Sequence, residues 1–169
     1  MRTILTTALL FVLAGCASQY SAQSPQLSKA NTLYIMPFAN QSNMPMAQAQ
    51  AEQLVASAFA EQGIKVRIYP KAQIGDLQAS LEPKQRLKEA QAWLVQQPAG
   101  YVLSGSVQEW QYKYGLDGEP AIGLTLTLAT NSGEELWRGS ASKSGWGRES
   151  LSHVALDAIE DLIDQLDWE

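Results

Sequence analysis

Cysteine and histidine are nearly absent from this chain, whose 169 residues contain one of each, Cys16 and His153. A lone thiol forms no intramolecular disulfide, and one His with one Cys is too small a ligand set for a zinc site. Long apolar runs are missing too: the segment over residues 4–12 falls well short of the roughly 20 residues that a spanning helix needs. Cations are the scarcer charge, 12 Lys and Arg against 17 Asp and Glu for a net charge of −5. That balance argues against nucleic acid, or anionic phospholipid, as a bulk partner. No glycine-rich loop opens a helix as nucleotide phosphates require. Ser140 and Lys143 have the spacing of a Ser-x-x-Lys acylase motif, yet they fall in a strand pattern that puts them on opposite faces. Carboxylates are plentiful, but nothing marks out a glycosidase pair. The expectation is a non-catalytic protein with no cofactor and no metal.

What the chain does contain begins at its N-terminus. Arg2, an apolar stretch over residues 4–12 and Leu13-Ala14-Gly15-Cys16 supply the positive, apolar and small-residue regions of a secretory signal. The last four residues resemble the bacterial lipobox, which implies that residues 1–15 are a signal peptide and that Cys16 is acylated. One acyl chain, at about 0.8 kcal/mol per buried CH₂, holds a protein only marginally, whereas several on one residue anchor it durably. Loss of Arg2 with the signal moves the net charge from −5 to −6. Ala17 and Ser18 carry no aspartate, and resemblance to lipoprotein sorting rules then implies transfer to the outer membrane, on its periplasmic face. Residues 16–31 are small, polar and aperiodic, so they read as the lipidated cysteine and a flexible tether.

Residues 32–169 read as one α/β domain. Thr32-Leu33-Tyr34-Ile35-Met36 is apolar on both faces and stops at Pro37, as in a strand buried within a sheet. Ala47, Ala51, Leu54, Val55, Ala58 and Phe59 recur at helical spacing between Pro45 and Gly63. Ile64, Val66 and Ile68 alternate with polar residues as a half-buried strand. A second helix is expected over residues 83–97, with Leu87, Ala90 and Leu94 on its apolar face. In the next strand Tyr101, Leu103 and Val107 lie at odd positions, but Trp110, Tyr112 and Tyr114 at even ones. A bulge at Gln108-Glu109 would restore one face. Ile122, Leu124, Leu126 and Leu128 alternate through a further strand, Asn131-Ser132-Gly133 reads as a hairpin turn, and a strand over residues 136–143 follows. Leu151, Val154, Ala155, Ala158, Ile159, Leu162 and Leu166 stripe a closing helix. The order is β-α-β-α-β-β-β-α, a mixed sheet with helices packed on it.

Pro37-Phe38-Ala39-Asn40-Gln41-Ser42 resembles the Pro-Phe-x-Asn-x-Ser signature of the CsgG and LpoB group of outer-membrane lipoproteins. Within that group, the stretch Tyr112-Lys113-Tyr114-Gly115-Leu116-Asp117-Gly118-Glu119-Pro120 and the stretch Ser144-Gly145-Trp146-Gly147-Arg148-Glu149-Ser150-Leu151 look most like the PelC-like lipoproteins of Pel exopolysaccharide export. The resemblance implies a closed homo-oligomeric ring of about a dozen subunits, a heterologous assembly whose rotation closes, beneath an outer-membrane export porin. It also implies that Asp117, with Glu119 beside it, lies on an acidic ring that guides a cationic polysaccharide during biofilm matrix export, and that Trp146 faces the membrane. The chain lacks the long apolar hairpins that build a membrane barrel.

These residues also have plainer structural readings. An Asp between glycines is a common turn former, Glu119 suits a solvated strand start, and Trp146 suits a core or an interface. Glu149 is placed to serve the first turn of the closing helix, and Trp110, Tyr112 and Tyr114 suit packing. His153 falls off the apolar stripe, and Trp168 has no assigned role. The rival function is an LpoB-like regulatory lipoprotein that activates a peptidoglycan synthase. It calls for a longer tether, since reach grows only as about 5–6 Å times the square root of linker length.

Overall fold

The computed structural model describes residues 18–70, 83–113 and 118–169. Among them are nine strands: β1 (Ser18–Ser21), β2 (Gln26–Leu27), β3 (Thr32–Ile35), β4 (Ala39–Asn40), β5 (Lys65–Ile68), β6 (Gly100–Lys113), β7 (Glu119–Thr130), β8 (Glu135–Ser144) and β9 (Asp167–Trp168). The helices are α1 (Ala47–Glu61), α2 (Pro83–Leu94) and α3 (Leu151–Ile163). The main sheet runs β1-β8-β7-β6-β3-β5, with β4 continuing the line of β3 along β6. Strand β3 is parallel to both neighbours, whereas β6, β7, β8 and β1 are successively antiparallel. This is the expected single mixed α/β domain.

Helices α1 and α3 cover one face of the sheet. Their alanines and branched residues pack on Leu33, Ile35, Leu103, Val107, Trp110, Ile122, Leu124, Leu126 and Leu128, all essentially buried. Helix α2 covers the other face at β3 and β5, where Trp93 meets the Tyr34 ring edge-on at 5.7 Å. The bulge in β6 is real: pairing with β7 skips Gln108 between Val107 and Glu109. That one residue returns Trp110 to the α1 face, where it is 1% exposed and its indole N–H donates to Gln50 Oε1 at 3.1 Å. Gly133, at φ +90°, closes the β7–β8 hairpin. The Trp137 ring packs against Gly139. A methyl group at residue 139 would press on that ring and approach Leu162 Cδ2 to 2.9 Å. Gly139→Ala should therefore cost about 1–3 kcal/mol through overpacking, read as a lower denaturant midpoint with unchanged secondary structure.

The expected tether over residues 16–31 is corrected over its described residues, from Ser18 onward. Ser18–Ser21 pairs antiparallel with β8, placing Ser18 opposite Ser142, and Gln26–Leu27 pairs in parallel with β9, burying Leu27. The backbone amides of a polar strand are satisfied by an open sheet edge regardless of side-chain periodicity, so apolar patterning missed both strands. Trp168, on β9, packs edge-on against Phe59 and Tyr101. The face expected of α2 is also only partly right. Ala90 is buried and Leu94 partly so, but Leu87 is 42% exposed.

Candidate functional site

Strand directions gather the candidate residues at one end of the domain. The C-terminal ends of β3, β4, β6 and β8 and the N-terminal ends of β1 and β7 point the same way. Helix α1 begins there, one turn before the Gln50–Trp110 contact, and so does α3, whose Leu151 N–H donates to the Tyr112 hydroxyl at 3.0 Å. Seven large apolar side chains among the described residues are exposed, and five of them, Met44, Met46, Leu87, Tyr112 and Trp146, belong to this end. Val95, beyond the last turn of α2, belongs to the other.

Trp146 sits in a braced turn between β8 and α3. Its N–H donates to Glu149 Oε2 at 2.7 Å, its carbonyl accepts from the Glu149 N–H at 3.1 Å, and Arg148 takes a left-handed φ of +82° to complete the turn. Ser150 caps α3, its hydroxyl accepting the His153 N–H at 3.1 Å. Glu149 therefore fixes the turn that leads into α3. The indole is left 63% exposed. Gly145 N–H donates to the Pro120 carbonyl at 2.9 Å, which ties this turn to the start of β7, where Glu119 is exposed. Trp146 and Glu119 are thus brought to neighbouring positions. Asp117, Tyr114 and Cys16 lie outside the described residues, although Asp117 directly precedes Gly118, at φ +59°. The register of β1 carries further information. Cys16 precedes Ser18 by two residues, a span of at most about 7 Å, and Ser18 faces Ser142, four residues before Trp146.

The Pro-Phe-x-Asn-x-Ser segment proves to be a structural joint. Asn40 Oδ1 accepts from the Ser42 N–H at 3.1 Å and the Ser42 hydroxyl at 2.7 Å, and Asn40 Nδ2 donates to the Met44 carbonyl at 2.9 Å. The Phe38 N–H donates to Glu52 Oε1 at 2.8 Å. Glu52, fully buried, also accepts from Arg86 Nη2 at 2.7 Å and the Tyr69 hydroxyl at 3.3 Å. One carboxylate thus joins the β3–β4 junction, α1, β5 and α2. Burial, and then the Glu52 charge, push the Tyr69 hydroxyl far above its ordinary pKa, so it stays a donor. Sequence reasoning missed Glu52 and Arg86, because an acid inside a helix pattern and a base in another are not visibly partners.

The remaining motif residues are engaged elsewhere. Ser140 Oγ and Thr125 Oγ1 share a hydrogen bond at 2.8 Å, while Lys143 reaches Asp161 at 3.0 Å from the opposite face. His153 is exposed, with Nδ1 3.9 Å from Asp157. Among the described residues, no cluster of three or more His, Cys, Asp or Glu could hold a metal, and no helix is long and apolar enough to cross a membrane.

No protein-family model and no curated protein matches the chain. Solved structures do. The PelC dodecamer from Paraburkholderia phytofirmans is 31% identical, with a TM-score of 0.76 over 91% of this chain and 99% of that one. A single-substitution PelC variant, also a dodecamer, matches at 31% identity and a TM-score of 0.77, over 91% of this chain and all of its own. Lipoprotein GNA1162 from Neisseria meningitidis shares the fold at 19% identity and a TM-score of 0.57, over 80% of this chain and 96% of that one. With near-complete coverage in both directions at that identity, and with the element order read from the sequence, the chain belongs to the PelC family.

Proposed function

We propose that this protein is a non-catalytic, ring-forming lipoprotein of the outer membrane that guides a cationic exopolysaccharide to its export porin. The observation that carries the reading is the match to two PelC dodecamers across nearly the whole of both chains. A ring repeats each subunit's charge, so one carboxylate per subunit becomes a focused negative field that attracts a cationic polymer while leaving it mobile. Asp117 and Glu119 are the residues assigned to that field, and Trp146 to the headgroup layer, which suits an indole with an apolar body and a polar N–H. The 63% exposure of Trp146, close to the strand that follows Cys16, supports this assignment. Pairing of Ser18–Ser21 with β8 counts against the peptidoglycan-synthase regulator, since it removes most of the tether that such reach requires.

The test separates charge from turn geometry. Asp117→Asn keeps side-chain size and turn propensity but deletes one charge per subunit. Protein level, localisation and oligomer size should match the parent while secreted polysaccharide falls, and Asp117→Lys should abolish secretion. Normal secretion by both variants would remove Asp117 from the guiding role.

A further inference from the structure

The turn that carries Trp146 is held at both of its ends by one opposed pair of residues on another hairpin. Tyr112 and Pro120 face each other across β6 and β7. The Pro120 carbonyl accepts the Gly145 N–H at 2.9 Å, where β8 passes into the turn, and the Tyr112 hydroxyl accepts the Leu151 N–H at 3.0 Å, where the turn passes into α3. The entry is specified by size. A methyl group at residue 145 would run into the Glu149 carboxylate and come within 2.6 Å of Val154 Cγ2 and 2.9 Å of Pro120 Cγ, so only glycine lets the turn lie this close to β7. The exit is specified by a hydroxyl. Leu151 opens α3, and its N–H is one of the first-turn donors that no carbonyl of the helix can accept. Ser150 takes the N–H of His153, and Tyr112 takes that of Leu151. Tyr112 is 45% exposed, so the core does not require its hydroxyl.

Both ends of the Trp146 turn are thereby tied to the hairpin whose strand β7 begins at exposed Glu119. Between the ties the turn is stiff, since Glu149 closes it from within through the Trp146 N–H and carbonyl. We propose that Tyr112 is a positioning residue, whose hydroxyl locks the Trp146 turn to the β6–β7 hairpin, so that the seat of the indole in the headgroup layer sets the position of Glu119. The inference rests on the reading of Trp146 and Glu119 given above. It adds a mechanical requirement to that reading. A field shared among subunits is focused only when each carboxylate stands in the same place, and a membrane contact orients a subunit only through a rigid link to its core. Loss of the hydroxyl leaves the Leu151 N–H to water, which is close at hand at this exposed site, so the fold survives while the turn is released. One net hydrogen bond of this kind changes the population of a released turn by roughly two- to tenfold.

Tyr112→Phe removes the hydroxyl and keeps the ring. In the full-length lipoprotein it should leave protein level, outer-membrane fractionation and oligomer size at parental values, while amide hydrogen exchange over residues 145–152 speeds up several-fold and exchange in β6 and β7 does not. Secreted polysaccharide should fall several-fold, as it should in Trp146→Ala. The double variant should fall no further than Trp146→Ala alone, because the tie acts only through the indole. Unchanged exchange over residues 145–152 would overturn the tie itself. Faster exchange with parental secretion, or single defects that multiply in the double variant, would overturn the positioning role. A loss of protein or of the oligomer in Tyr112→Phe would overturn it too, by making the hydroxyl a folding contact. Parental secretion by Trp146→Ala would instead overturn the reading of Trp146, and the inference with it, even where the faster exchange is seen. Parental secretion in cells without the gene would overturn the export reading as a whole.

Discussion

Arg86→Ala is expected to lower the folding stability of the domain by about 3–5 kcal/mol, the loss typical of breaking a buried ion pair from one side. The Glu52 side chain is completely inaccessible and that of Arg86 only 13% exposed, so water gives the carboxylate little compensation once the guanidinium is gone. The damage should spread, because the same carboxylate accepts from the Phe38 amide and the Tyr69 hydroxyl and so joins α1 and α2 to the β3–β4 and β5 ends. A chemical-denaturation midpoint measures the loss. The companion experiment replaces both partners with apolar residues of similar volume, Glu52→Leu with Arg86→Met. The double variant should lose less than the sum of the two single changes, since no charge is then buried. A wild-type midpoint for Arg86→Ala would show that the pair contributes nothing.

Cys16→Ser is expected to remove the protein from the outer membrane altogether, either into the soluble periplasmic fraction or to the inner membrane with its signal uncut. Several acyl chains on one residue supply the whole of a durable anchor. Continued outer-membrane fractionation of Cys16→Ser would place the anchor elsewhere. The β1 pairing adds a finer expectation. A Gly/Ser insert of about ten residues between Ala17 and Ser18 would lengthen the reach by roughly 17 Å. Fractionation should then be unchanged while secretion falls, since the insert frees the domain from its held orientation. Equal secretion with and without the insert would show that orientation through the anchor is immaterial.

Much of the architecture follows from sequence patterning alone. Period-two alternation located β7 through Ile122, Leu124, Leu126 and Leu128. Helical spacing located α1 and α3, and the shift of apolar residues from odd to even positions foretold the bulge at Gln108. These features are local, and each depends only on which face of one element avoids water. The family was legible in the same way, from motifs carried within short stretches. What patterning misses is pairing between distant segments. Ser18–Ser21 and Gln26–Leu27 have the composition of a linker and become strands only because β8 and β9 present them with open backbone edges. The role of Glu52 exists only once α2 folds back over the β3–β4 junction. Leu87 reads as a core position, and is exposed because α2 turns it toward the surface and not toward the sheet.

By itself, then, the sequence determined the order and the faces of the long strands and helices, the PelC-like motifs and the candidate anchor at Cys16, because each is written in residues close together along the chain. Only the tertiary structure decided that Trp146, Glu119, the first turns of α1 and α3 and the strand after Cys16 share one end of the domain. That decision comes from strand direction and register, which depend on hydrogen bonds between residues more than a hundred positions apart, such as Ser18 and Ser142.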